Sequence, residues 1–95
     1  MKTNTNVIEK YEVICPLSYM KCESFSEVEY KIEKCITLGQ TIKRNGEERH
    51  VQYYYNCFVI KGETVVDMFK NMNNYVDVRD KVKNAYDWKI GKVIV

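Results

Sequence analysis

Residues that interrupt or staple a fold are scarce in this chain. Proline occurs once and glycine four times in 95 residues, so extended disorder is not expected. His50 is the only histidine, and the four cysteines (Cys15, Cys22, Cys35, Cys57) include no Cys-x-x-Cys pair. The ligand spacing of a zinc site is therefore missing. No window approaches the length of a membrane span, and the polar residues 1–6 lack the apolar run of a secretory leader. These features predict a cytoplasmic chain whose cysteines stay reduced, with Cys35 and Cys57 acting as small core residues. There is no phosphate-binding loop and no dinucleotide fingerprint. His50 has no Cys or Ser at a motif spacing, and the carboxylates of Glu47 and Glu48 fall on a predicted hairpin, where solvated charge is the default. A non-enzyme without metal or cofactor is expected.

Aromatic residues, by contrast, are plentiful: eight Tyr, three Phe and one Trp. The length suits one domain over residues 1–95 with one modest core. A formal net charge of +2 names no partner, so the placement of charge matters more. Lys43, Arg44, Arg49 and His50 bracket one short turn, and Lys81, Lys83, Lys89 and Lys92 crowd the C-terminal segment. Acids gather in Glu23, Glu27, Glu29 and Glu33.

The periodicity is mostly that of strands. Val7, Tyr11, Val13, Cys15 and Leu17 share one parity, and that strand ends or bulges at Pro16. Residues 18–26 are a predicted loop. From Glu27 to Leu38, Val28, Tyr30, Ile32, Ile36 and Leu38 alternate with more polar residues, predicting a long strand. Asn45-Gly46 marks a hairpin. Val51 to Ile60 returns as one strand, its odd row (Val51, Tyr53, Tyr55, Cys57, Val59) facing the core. Thr64 is a plausible N-cap for a short helix to about Met72, stopped by Asn73-Asn74. Tyr75, Val76 and Val78 begin another strand, residues 80–86 are ambiguous between helix and hairpin, and Ile90 to Val95 closes as a strand. Five strands with one short helix between the third and fourth predict a mainly β, OB-like Greek-key barrel. A small α+β antiparallel sheet with a helix packed on it gives a similar string.

In this order, Thr37-Leu38, Arg44-Asn45-Gly46-Glu47, the run Tyr54 to Ile60, Gly62 and Tyr75-Val76-Asp77 resemble the centre of the bacterial single-stranded DNA-binding protein family. The pattern spans about half the chain. The resemblance implies a minimal, divergent member, as in a phage or mobile element, that binds single-stranded DNA without strong sequence preference. Such binding combines a basic groove with rings on which bases stack. Tyr54 matches a stacking position, Phe58 shares its face by period two, and Trp88 lies near a late aromatic. Lys43, Arg44, Arg49 and His50 are the candidate phosphate contacts. Self-association is expected, because a small sheet has edges to cover.

A second expectation stands beside this one. A Tyr-rich face, near-neutral charge and no catalytic constellation also describe a small protein-binding module, such as an inhibitor of a host enzyme encoded by a phage or mobile element.

Overall fold

The structure, a computed structural model, describes residues 1–89. The chain runs β1 (Lys2–Thr3), α1 (Thr5–Ile14), α2 (Pro16–Met20), α3 (Phe25–Leu38), β2 (Gln40–Asn45), β3 (Glu48–Tyr53), β4 (Asn56–Lys61), β5 (Thr64–Lys70) and α4 (Asp80–Lys89). The five strands form one sheet in the order β1-β5-β4-β3-β2, with β1 parallel to β5 and the remaining pairs antiparallel. The fold is α+β. Its sheet is open, with β1 and β2 as edges, so the described residues close no barrel. No described helix is long and apolar enough to cross a membrane.

Three hairpins build the sheet. Asn45 pairs with Glu48, Tyr53 with Asn56 and Lys61 with Thr64, so each turn has two residues. A two-residue turn keeps its flanking residues on the same face, because i and i+3 stand opposite one another. The helix-facing row therefore changes parity at the middle turn. It is odd on β3 (Val51, Tyr53) and even on β4 (Phe58, Ile60). The expected single strand with an odd core row is corrected accordingly: Cys57 and Val59 face the other side, where Cys57 is nonetheless buried, and Phe58 lies in the core.

The N-terminal third is helical where strands were expected. In α3, Val28, Ile32 and Ile36 recur every four residues and face the sheet. That spacing satisfies period two and period 3.6 alike. Capping resolves the ambiguity. The Ser24 hydroxyl accepts from the Glu27 amide at 3.3 Å, while the Glu27 carboxylate accepts from the amide of Glu23, one residue before the cap, a close variant of the capping box. Val7 and Tyr11 of α1 show the same four-residue spacing and are buried against β5 and α3. Pro16 starts α2 at a position where a missing amide costs nothing, rather than ending a strand.

Residues 64–70 form a strand, not the expected helix. Gly62, with φ +61°, turns the chain, and Thr64, Val65 and Val66 favour extended backbone. Of the strand expected after it, only a bridge between Val76 and Tyr54 forms. Residues 80–89 settle as helix. The strand expected at 90–95 lies outside the described residues.

Helix α4 is attached by polar side chains. Lys83, Tyr86 and Asp87 share one face by i, i+3, i+4 spacing. The Asp87 carboxylate, 4% exposed, accepts hydrogen bonds from the Lys34 ammonium at 2.6 Å and from the Tyr30 hydroxyl. The Tyr86 and Tyr30 rings lie 5.9 Å apart. Burial pushes the Asp87 pKa up, but the hydrogen bonds from Lys34 and Tyr30 outweigh it and hold the carboxyl below its ordinary value.

Two outcomes follow from this packing. A Cβ on Gly39 would lie 2.6 Å from the Gln52 carbonyl oxygen and 2.8 Å from that of Cys35, both backbone atoms. Gly39→Ala is expected to cost about 1–3 kcal/mol, read as a lower urea midpoint. Because the folded-state pKa of Asp87 is depressed, its contribution is present above the unfolded value and is lost as pH falls through the folded one. Asp87→Asn should cost about 1.5–3 kcal/mol at neutral pH. It should also flatten the loss of stability expected of the unaltered protein as pH falls below the ordinary carboxylate range, measured as urea midpoints at neutral and acidic pH.

Candidate functional site

The three hairpins share one backbone feature. The first residue of each turn has positive φ: Gly46 at +61°, Tyr54 at +54° and Gly62 at +61°. Glycine adopts this conformation freely, whereas a side chain costs about 1–2 kcal/mol there. The middle turn bears that strain in order to carry a tyrosine. Such outliers persist only where surrounding contacts over-determine them.

Those contacts are present. The Tyr54 amide donates to the Val76 carbonyl at 2.7 Å, and the Val76 amide donates to the Tyr54 carbonyl at 3.2 Å. The Tyr54 hydroxyl donates to the Val78 carbonyl at 2.7 Å and accepts from the Lys83 ammonium at 2.9 Å. Hydrogen bonding to Tyr54, then to Asp80, raises the Lys83 pKa, so this cation stays charged. Behind the turn, the fully buried Gln52 amide donates to the carbonyls of Tyr54 (2.7 Å) and Asn71 (3.1 Å) and accepts from the Asn71 side chain at 3.2 Å. Sheet, turn and the 71–78 segment are thereby locked together.

On this base four tyrosines gather. Tyr54 meets Tyr53 edge-on at 4.7 Å and Tyr75 edge-on at 5.8 Å, and Tyr55 lies 4.6 Å from Tyr75 between ring centroids. Tyr55 is 40% exposed and Tyr75 49%. The Asn71 amide donates to the Tyr55 carbonyl, fixing the turn beside the end of β5. The C-terminal end of α1 reaches the same end of the sheet, where Val13 and Phe69 line one groove of about 480 Å³. Val13, Leu17 and Met20 follow around the α1–α2 corner, each more than three-quarters exposed. One end of the molecule is thus aromatic and aliphatic.

The candidate residues drawn from the sequence are not brought together. Phe58 is 0% exposed and packs in the core beneath the helices, so it presents no face to a base. Tyr54 is half-buried, with both neighbouring rings against it. Lys43, Arg44, Arg49 and His50 lie toward the opposite hairpin, Arg49 and His50 being five and four residues before Tyr54 on β3 with Arg44 and Lys43 opposite them, about 13–17 Å away. They also divide between faces. Lys43 pairs with His50 on the side away from the helices, where His50 meets the Phe69 ring edge-on at 6.4 Å and Glu48 at 3.8 Å. Arg44 stands directly opposite Arg49 on the other side. Trp88 is 77% exposed on α4. Tyr55 was expected in the core row and Lys83 only among the C-terminal lysines, while Tyr75 and Gln52 were not expected as site residues. The signal for the first was the change of apolar parity between Val51-Tyr53 and Phe58-Ile60, which a two-residue turn at Tyr54-Tyr55 explains.

The strain and its bracing can be measured separately. Tyr54→Gly should be more stable than Tyr54→Ala by about 1 kcal/mol, because only the alanine retains a disfavoured left-handed φ. Tyr54→Phe keeps the ring and loses both hydroxyl contacts, at a cost of about 1–2 kcal/mol. Equilibrium urea unfolding of the three variants checks both values.

Comparison of the chain with family models, with curated proteins and with solved structures finds no match.

Proposed function

We propose that the chain is a non-catalytic recognition module that binds another protein through its aromatic end. The observation that carries this reading is the exposed Tyr55–Tyr75 pair, held on the braced left-handed Tyr54. Tyrosines supply large contact area at low entropic cost and are enriched among interface hot spots. The exposed aliphatic groups of Val13, Leu17 and Met20 extend the same end with surface that gains by leaving water. Charges near the tip are mixed: Lys70, Arg79, Lys81 and Lys83 stand against Asp77 and Asp80. A small inhibitor acting on an enzyme is one form of this reading.

Single-stranded nucleic acid is the second reading, favoured by exposed rings close to Lys83. Two features weigh against it. The most concentrated basic cluster lies at the far end of β3. The Tyr55 and Tyr75 rings, 4.6 Å apart, also leave no room for a base between them, which needs about 7 Å, twice the ~3.5 Å contact distance. A base would have only an outer ring face.

The two readings separate in one set of measurements. Labelled dT and mixed-sequence oligonucleotides are titrated by anisotropy at low and moderate salt, and the protein is used in parallel as bait beside a Tyr55→Ser/Tyr75→Ser variant of equal stability. The expected result is no salt-sensitive oligonucleotide binding and a captured protein that the variant releases, with affinity reduced about 30-fold or more. Oligonucleotide binding that falls with salt and is weakened by Tyr55→Ala would instead establish the nucleic-acid reading.

A further inference from the structure

We propose that the cleft between the α1–α2 corner, α3 and the base of the Tyr54 hairpin binds a small oxyanion, a phosphate or carboxylate group. The cleft has a volume of about 220 Å³ and is lined by Lys31, Lys34, Tyr11, Ser18, Tyr53 and Asn56, with Cys15 and Cys35 completing the wall. At about 30 Å³ per water it has room for about seven waters. That suits inorganic phosphate or a small molecule bearing such a group, and it is too little for a folded or polymeric ligand. The site lies on the helix side of the sheet, and its ligand is independent of any partner taken by the exposed rings.

The chemistry of the wall carries the assignment. It combines two ammonium groups, three hydroxyls and one amide, and it contains no carboxylate. Donors therefore exceed charged acceptors, the reverse of a cation site. Lys34 is engaged by Asp87 at 2.6 Å. Lys31 has no ion-pair partner among the described residues and feels the Asp87 carboxylate only through a weaker, longer-range attraction, so its hydrogen-bond donors are available to a ligand. The Tyr11 and Ser18 hydroxyls lie 2.7 Å apart. One hydrogen lies between them, leaving the other free to donate. The Tyr53 hydroxyl has no hydrogen-bond partner among the described residues. Asn56 spends one amide hydrogen on the Cys15 sulfur at 3.5 Å and keeps the second. Ammonium and hydroxyl donors converging on an anion make the stronger class of hydrogen bond.

The two thiols do not cancel this field. Burial raises the pKa of Cys15, and it pushes Cys35 up to about 12 despite the nearby charges of Lys34 and Lys31. Both stay protonated at neutral pH, so neither supplies an internal anion to neutralise the lysines.

The test is an amide-resolved NMR titration of the full chain with inorganic phosphate and, separately, with succinate, each against sodium chloride at matched ionic strength. The expected result is saturable shifts clustered at Tyr11, Cys15, Ser18, Lys31, Tyr53 and Asn56 with at least one of the two anions. The stronger of them identifies the preferred group. Lys31→Gln, which breaks no ion pair, should weaken binding about tenfold. Tyr53→Phe should weaken it about threefold, and saturating ligand should slow alkylation of Cys15. Non-saturating shifts with both anions, shifts that chloride reproduces, or an affinity unchanged in both variants would overturn the assignment.

Discussion

One backbone torsion organises half of this molecule. With φ at +54°, Tyr54 lets the chain reverse within two residues, and that brevity sets the register of β3 against β4. Register then decides which side chains enter the core. Phe58 and Ile60 follow Val51 and Tyr53 beneath the helices, while Tyr55 is left at the tip. A longer turn would leave the row free to slip, and a slip of one residue would turn Phe58 outward. Glycine would make the turn more cheaply, as it does at Gly46 and Gly62. What glycine lacks is the ring that Tyr53 and Tyr75 pack against and the hydroxyl that Val78 and Lys83 hold.

The hairpins also give the molecule two unlike ends. Two-residue turns alternate between the ends of the sheet, so the glycine turns sit together, joined by a hydrogen bond from the Gly62 amide to the Glu47 carbonyl. The tyrosine turn stands alone at the other end. The basic cluster of residues 43–50 follows the glycine turns, and the exposed aromatic rings follow the tyrosine turn. The arginines 44 and 49, directly opposed on one face, repel each other, and the exposed edge strand β2 carries Lys43 and Arg44, charges that discourage pairing with another sheet.

How much of this could be read from the sequence depended on whether a pattern fitted one period or two. Asn45-Gly46 marked its hairpin because glycine at that position has a single structural meaning, although the turn proper is Gly46-Glu47. Val28, Ile32 and Ile36 were compatible with strand and helix alike, and the deciding residues, Ser24 and Glu27, lay just outside the apolar run. Thr64 looked like a helix cap, yet Gly62 two residues earlier was already turning a hairpin. The aromatic end was the least legible. Its parts come from residues 54–55 and 75–83, joined by contacts that have no local signature, and its central residue occupies a conformation that tyrosine rarely adopts. Period two placed Phe58 on the face of Tyr54, a relation that holds along an unbroken strand and is lost across a turn.

The polar attachment of α4 has a consequence for how the protein opens. Apolar packing resists separation over its whole area, whereas a helix held through Asp87, Lys83 and Tyr86 comes away once a few directional bonds have let go and water has replaced them. Helix α4 is accordingly the part expected to open at the lowest free energy, ahead of any strand. Its departure removes the Lys83 contact from the Tyr54 hydroxyl as well. Amide exchange in α4 should therefore run ahead of exchange in the sheet, and trypsin acting after Lys81 or Lys83 would reach the chain through that opening. The same excursion would loosen the tyrosine tip, making order at the binding end depend on a helix that contributes no apolar group to the core.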